Sequence, residues 1–494
     1  MSTGATAATG TAPRFVTGSI MRHVAVMSGA GAIGLIAIFL VDLINLFYLA
    51  RLDDKAITAA VGFFSVVGFF QTAFCIGVTI GVAAVVGRTL GAGRRDDAAR
   101  IATSSLVLTV LMATVLGSGS SLFLGPILDL LGATGETRGH ALAYLRISVH
   151  SVPLLALGMA SAALLRAVGD ARRSMNVTLA GAAVVALFDP ILIFGLHLDL
   201  QGAAISTVLS RIALAALGLH GVMRTHRLLG RFDAERFGAD AAAIGKIAAP
   251  SILTNLATPF GAAFVTHFMA PYGALAVSGQ AMVERITPVA FGLVYALTGA
   301  VGPVLSQNLG AGDYDRVREG VRASLLFMLV SVLAAWAILA LTQDLIIAAF
   351  SATGMAALMV ALFCTWLAPS FIFVGGLFVA NAAFNNLGRP LLSTGFSWAR
   401  ATLGTVPFAW WGAQHGPRGI LIGQAAGAVL FGSLAMLAAA GVARRLGKDA
   451  LLARSPAGNG VSTEPGFASI DMGERNMRPA AIVPTTEPIQ PRGD

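Results

Sequence analysis

Charge is scarce in this sequence. Its 494 residues include 33 Lys or Arg and 24 Asp or Glu, 12% of the chain, about half the charged share of a soluble globular domain. A soluble multidomain enzyme is thereby excluded. Cysteine is scarcer still: Cys75 and Cys364 both fall inside apolar stretches, so neither a disulfide framework nor a zinc site follows from their number or spacing. Both read as small buried hydrophobes. Period-two alternation is missing too. The apolar runs are continuous beyond the ~20 residues that cross a hydrocarbon core, which excludes an outer-membrane barrel and implies helical spans. The sequence contains no GxxxxGKS/T, HExxH, GxSxG or EF-hand pattern, so nothing supports an ATP-driven pump or a membrane-embedded enzyme, or a bound metal.

What is present is apolar: 56% of residues are hydrophobic and the mean hydropathy is +0.79. The expected fold class is an all-α polytopic membrane protein. Stretches bounded by charge, Gly or Pro give twelve transmembrane helices, at 24–49, 57–86, 101–124, 142–166, 176–196, 202–223, 244–269, 274–306, 320–349, 357–386, 391–413 and 419–443. The N-terminal MSTGATAATGTAPRFVTGSIMRH lacks the compact basic-then-apolar pattern of a cleaved signal, so the first span is expected to stay in the mature protein. Six of the 19 prolines lie from Pro456 onward, which reads as a disordered tail.

Basic residues cluster in alternate loops. Arg88, Arg94, Arg95, Arg100, Arg172, Arg173, Arg224, Arg227, Arg316, Arg318, Arg444 and Arg445 fall on one side, against Arg51, Lys55, Arg138 and Arg418 on the other. This asymmetry predicts an integral plasma (inner) membrane protein with both termini cytoplasmic. It also accounts for the net charge of +9 without nucleic acid. Tyr48, Tyr144, Tyr272, Trp410 and Trp411 fall where an interfacial aromatic belt belongs.

An internal repeat organises the chain. Leu90-Gly91-Ala92-Gly93 recurs as Leu309-Gly310-Ala311-Gly312, and Ala133-Thr134-Gly135 as Ala352-Thr353-Gly354, both at an offset of 219 (309 minus 90, 352 minus 133). Gly169 pairs with Gly388 at the same offset, while Pro190 pairs with Pro407 at 217. Several matches at one offset imply two pseudo-symmetric six-helix lobes. The expected organisation is an N-terminal tail over 1–21, an N-lobe over 22–223, a linker over 224–243, a C-lobe over 244–446 and a C-terminal tail over 447–494. Because six is even, the halves are parallel repeats, as in transporters that bind substrate between two rocking lobes.

An ionisable group inside a span costs about 2.5–3.5 kcal/mol on insertion scales, so each asks for a reason. Asp42, in LVDLIN, and Asp189, in FDPILIFG, both lie about 10–12 Å below the end of their spans. Two carboxylates at one depth in a low dielectric titrate as a pair, which suits a site that loads and releases H⁺. Asn45 shares a helix face with Asp42, and Pro190 is expected to loosen the helix beside Asp189. The alternative is that Asp189 simply pairs with Arg211, at similar depth in the sixth span. Tyr48, Arg211, Asn255, Glu284, Arg285 and Asn381 are candidates for a substrate path, with helix-bridging or capping as the competing reading of the polar ones. The two LGAG turns lack a phosphate-loop pattern and read as helix ends.

These residues resemble the multidrug and toxic compound extrusion (MATE) family. The resemblance rests on SQNLGAGDYDR at 306–316, its degenerate copy GRTLGAGRRDD, LRAVGDARRS at 165–174, FDPILIFG at 188–195 and QGAAISTVLS at 201–210, and covers roughly residues 22–446. It implies a cation-coupled antiporter for small amphipathic, often cationic drugs, with an N-lobe cation site between the first and fifth spans. Asp42 and Asp189 match the family's acids, and Thr207 matches a polar position on the sixth span. The asparagine often found four residues before the fifth-span acid is Val185 here, and spans 244–269 and 357–386 carry no acid. Both departures favour H⁺ over Na⁺ as coupling ion. The runners-up are a Na⁺-coupled exporter and a lipid-linked oligosaccharide flippase, for which only Arg211, Arg285 and Arg400 would serve a lipid phosphate. No cofactor beyond the coupling ion, and no obligate protein partner beside membrane lipid, is expected.

Overall fold

Long runs of Ala, Leu, Val, Ile and Gly can satisfy their backbone groups inside hydrocarbon as helices. The computed structural model describes residues 13–50 and 55–454, and among them there is no strand. The helices run α1 (Ile20–Ala50), α2 (Lys55–Gly91), α3 (Arg95–Leu122), the short α4 (Leu124–Leu130), α5 (Gly135–Ser148), α6 (Val152–Ala167), α7 (Ala171–Pro190) and α8 (Asp199–His220) in the N-lobe. The C-lobe contains α9 (Ala234–Met269), α10 (Ala274–Ala290), α11 (Gly292–Gly310), α12 (Tyr314–Ala349), α13 (Gly354–Leu362), α14 (Phe371–Asn386), α15 (Pro390–Ala399), α16 (Val406–Ala413) and α17 (Pro417–Arg454).

Among the described residues, ten helical stretches are long and apolar enough to cross a membrane, and the bent pair α10–α11 makes an eleventh. The remaining predicted span, 391–413, is divided into α15 and α16 by a π turn at Arg400–Gly404. The eighth span, expected as one helix over 274–306, instead bends by 51° at Phe291. Pro288 stands in the last turn of α10 and Gly292 opens α11, so the bend falls between two residues that weaken a helix. The repeat extends to irregularities that the sequence does not announce. Val149–Ser151 and Ala368–Ser370 are both 3₁₀ turns, and the same offset carries one onto the other.

Three expected boundaries need correction. The first tail, 1–21, includes a 3₁₀ turn at Arg14–Val16 with Phe15 buried, and α1 starts at Ile20. Residues 234–243 of the expected linker are helical, because Asp233 caps α9 by accepting from the Arg236 backbone N–H. The last helix continues to Arg454, and the rest of the C-terminal tail lies outside the described residues.

The face that carries the basic clusters is where the lobes lock. Gly93 and Gly312, each at φ +74°, close the two LGAG turns, so those segments do end helices. Just inside them α2 crosses α11. Gly91 lies against the Gln307 carbonyl and Gly310 against the Arg88 carbonyl, while Gly87 meets Ser306. The first two contacts exchange under the repeat offset, so the crossing sits on the pseudo-symmetry axis. A Cβ at Gly91 or Gly310 would strike backbone, which cannot yield as a side chain can. The Arg14–Val16 turn is wedged beside this seam. Gln307 accepts from the Phe15 N–H at 2.9 Å and donates to the Ala167 carbonyl at 2.6 Å. Arg14 donates to the Gly169 carbonyl at 2.8 Å, and Arg316 to the carbonyls of Phe15 and Gly18, both at 3.0 Å. A buried Arg100–Asp240 ion pair at 2.5 Å adds a further bond between the lobes.

Beside that seam Asp170 caps α7. Burial opposes its charge, but the backbone N–H and guanidinium of Arg173 and the His226 ring outweigh it and hold the carboxyl below the usual carboxylate range.

Adding a methyl group at Gly91 or Gly310 should therefore loosen the seam without touching either lobe's interior. Gly91→Ala and Gly310→Ala are each expected to destabilise the closed face by about 1–3 kcal/mol. A lower melting temperature in detergent, together with faster thiol labelling of a cysteine placed at the fully buried Ser306, checks this.

Candidate functional site

The N-lobe site is assembled by α1, α5, α7 and α8. Pro190 comes one residue after Asp189, and the helix widens there into a π turn over Ile191–Gly195, as expected when a proline removes a backbone donor. The chain then turns through His197 and Asp199, both at positive φ. Gly202 allows α8 to lie against the Leu192 carbonyl. This packing brings α8 beside the acid on α7.

Asp189 is 1% exposed. Asn45 donates to its Oδ2 at 2.5 Å across the α1–α7 contact. Ser206 on α8 stands beside the carboxylate as a second hydrogen-bonding neighbour, although neither its Oγ nor Asp189 Oδ1 has a partner at full hydrogen-bond geometry. Asp42 lies within electrostatic reach of Asp189 but is exposed. The pair therefore contains one acid with exposed surface and one sealed within the helix packing.

Arg211 is not the partner of Asp189. Its Nη1 donates to the Ser148 carbonyl at 2.7 Å and to Ser151 Oγ at 2.9 Å, which ties α8 to the 3₁₀ turn between α5 and α6. Of the two readings open from sequence, the structural ion pair is thus not formed. Thr207 does not bond Asp189 either. It donates to the Ala203 carbonyl at 3.0 Å and shares a 2.9 Å hydrogen bond with Tyr144, in which the phenol is then the donor. Tyr144 stacks on Phe64 at 3.8 Å and lies within reach of Asp42, Asp189 and Arg211.

Tyr144 and Ser206 are the residues that sequence reasoning missed. Tyr144 is expected in an interfacial belt, yet it stands nine residues into α5, about 13 Å from the helix start. That depth was the available signal. Tyr48 packs edge-on against Phe194 of the π turn at 5.7 Å, so it closes the site from α1.

The other candidates lie apart, in the C-lobe. Asn255 donates to the Ser251 carbonyl of its own helix at 2.8 Å. Glu284 accepts from Gln280 at 2.8 Å, again within one helix, and Arg285 beside it is exposed. Asn381 donates to Ser397 Oγ at 3.0 Å and bridges α14 to α15. Among the described residues no group of three or more His, Cys, Asp or Glu is placed to hold a metal ion.

The stability consequence of this wiring is definite. Removing the guanidinium of Arg211 breaks charge-assisted bonds that join three elements, so Arg211→Gln is expected to cost about 1.5–3 kcal/mol. Because Arg211 and Asp189 share no bond, the double variant Asp189→Asn/Arg211→Gln should be additive within about 0.5 kcal/mol. Denaturation of the two single variants and the double variant checks it.

The family model MatE matches residues 31–191 and again 250–411, two copies whose starts, 31 and 250, differ by the repeat offset. Similar proteins include one described as an FAD transporter from Shewanella oneidensis, 29% identical over 403 residues, which span 80% of this chain and 89% of that protein. Another is the multidrug export protein MepA of Staphylococcus haemolyticus, 24% identical over 315 residues, 62% of this chain and 68% of that one. Among solved structures, the Vibrio cholerae MATE transporter VcmN matches with a TM-score of 0.82 at 23% identity, covering 86% of this chain and 97% of its own.

Proposed function

The chain belongs to the MatE family of membrane transporters, which includes multidrug exporters, and from that premise we propose that it is an H⁺-coupled antiporter exporting small amphipathic molecules across the plasma (inner) membrane. The observation that carries this reading is the state of Asp189. It is a buried carboxyl with no basic partner among the described residues, held by Asn45 and approached only by the hydroxyl of Ser206. An intramembrane acid left in that condition is a site for an exchangeable proton.

In this mechanism Asp42, the exposed member, receives the proton and Asp189 stores it. A proton on Asp189 Oδ1 faces Ser206 Oγ, a buried acceptor on α8, and so transfers the protonation state to the α7–α8 packing. Tyr144, bonded to Thr207, ties the same change to α5. The basic face is cytoplasmic by its Arg and Lys excess, so the locked seam describes the state closed to the cytoplasm. Export then alternates between this state and one in which the Gly91–Gly310 crossing opens.

Cargo follows the family in being amphipathic, cationic drugs included, and the similarity to an FAD transporter adds aromatic phosphates to the class. Na⁺ coupling is the less supported reading. Asn45 presents an N–H and not an oxygen to Asp189, Val185 offers no ligand, and a hard cation needs several oxygens.

The test is reconstitution in proteoliposomes. Ethidium movement is expected to follow an imposed pH gradient and to ignore a Na⁺ gradient. Asp42→Asn and Asp189→Asn are expected to abolish it while melting near wild type. Movement driven by Na⁺ alone, or full exchange by Asp189→Asn, would refute the proposal.

A further inference from the structure

The C-lobe holds a half-buried guanidinium, that of Arg400, with no hydrogen-bond acceptor among the described residues. Arg400 opens the π turn that divides α15 from α16. It lies ten residues from the start of α15, about 15 Å and so near mid-membrane. The turn is embedded in the lobe: Gly261 of α9 packs on Ala401, and Gly404 on Phe431 and Gly427 of α17. The Nε of Arg400 is buried without a partner. Among the described residues no carboxylate or carbonyl pairs with its guanidinium, in contrast to Arg211, which is held at two acceptors.

A second donor lies near it. Tyr295, one turn past the α10–α11 bend, lies within electrostatic reach of Arg400, and its hydroxyl has no hydrogen-bond partner among the described residues. Tyr295 packs on Phe378 at 5.3 Å and on Phe371 at 5.8 Å, and Phe371 is stacked on Phe291 at 4.1 Å. Phe291, the residue at the bend, is thereby part of the same aromatic wall. Two donors without an acceptor, beside flat apolar rings, describe the recognition of an anion borne on an aromatic ring system. The polarity is opposite to that of the N-lobe, whose fifth span carries the carboxylate Asp189 beside its π turn, where the C-lobe's carries a guanidinium.

We propose that Arg400 and Tyr295, with the Phe371–Phe378 wall, form a C-lobe subsite for the phosphate or carboxylate of a planar aromatic cargo. This assignment rests on the antiporter reading for its role in transport, but the binding it describes is independent of the coupling ion. An unpaired intramembrane arginine costs free energy in the empty protein, and an anionic cargo supplies its missing partner. Membrane lipid phosphate shares this chemistry but offers no ring for the wall.

Flavin mononucleotide and riboflavin carry one ring system with and without the phosphate, and flavin fluorescence reports binding to the full chain in phosphatidylcholine nanodiscs. The wild type is expected to bind the phosphorylated flavin at least about tenfold tighter than riboflavin, the scale of one charge-assisted contact. Arg400→Gln should remove that preference and leave riboflavin binding unchanged, with Arg400→Lys intermediate. Tyr295→Phe, which deletes a single hydroxyl and keeps the wall, should weaken flavin mononucleotide alone by a few-fold and serves if Arg400→Gln does not fold. Equal binding of the two flavins by the wild type, or an equal loss of both in either variant, overturns the subsite. Displacement of flavin mononucleotide by phosphatidylglycerol but not by inorganic phosphate also overturns it, in favour of lipid. Ethidium transport by the same protein batch in proteoliposomes separates the two proposals: selective flavin binding without pH-driven movement removes the coupling reading alone, and the converse removes the subsite alone.

Discussion

The crossing of α2 over α11 is the contact on which the arrangement of the two lobes depends. At Gly91 and Gly310 the backbone of each helix rests on a carbonyl of the other, an approach no residue with a side chain permits. Because the two contacts exchange under the repeat, they meet on the axis about which the lobes are related, and everything else at the basic face is set by that closeness. The Arg14–Val16 turn fits only because Gln307 and Arg316 are brought to it. Arg100 of α3 meets Asp240 of α9 between the same two lobes. Apolar packing continues away from the seam: Val78, Val82 and Val86 of α2 share a cluster with Ile244 and Ala248 of α9, and Ile20, Val24 and Met27 of α1 join the C-lobe core.

Within the lobes the governing cost is that of charge in a low dielectric. The three interior groups meet it in three ways. Arg211 is satisfied by a carbonyl and a hydroxyl and so acts as a strut. Asp189 is satisfied at one oxygen only. Arg400 has no partner among the described residues. Full satisfaction marks a structural group, whereas partial or absent satisfaction leaves capacity for a ligand that comes and goes. The π turns beside Asp189 and at Arg400 serve both lobes by displacing one helical residue and so re-aiming the charge, a common use of such bulges.

Much of this was legible in the sequence because its physics is local. Apolar runs longer than the hydrocarbon thickness specify spans whatever surrounds them, and the shared offset of the LGAG and ATG segments specifies two like lobes before any contact is known. Asp42, Asn45 and Asp189 could be grouped because depth along a helix is counted in residues. The bend at Phe291 was missed although Pro288 was in view, since a proline in a span is compatible with a straight, a kinked or a broken helix, and neighbouring packing decides among them.

Membrane class, span number, the repeat and the depth of each charge were thus determined by the sequence alone, because hydrocarbon thickness and helical rise convert residue counts into distances. Which charge meets which partner was decided only by the tertiary structure. Asp189 and Arg211 stand at matching depths, yet the rotations of α7 and α8 about their own axes turn Asp189 toward Asn45 and Arg211 toward Ser148 and Ser151. Tyr144 joins the site through a helix that its sequence neighbours do not indicate. Depth is a one-dimensional quantity that a chain carries along itself, whereas the azimuth of a side chain exists only once helices have packed.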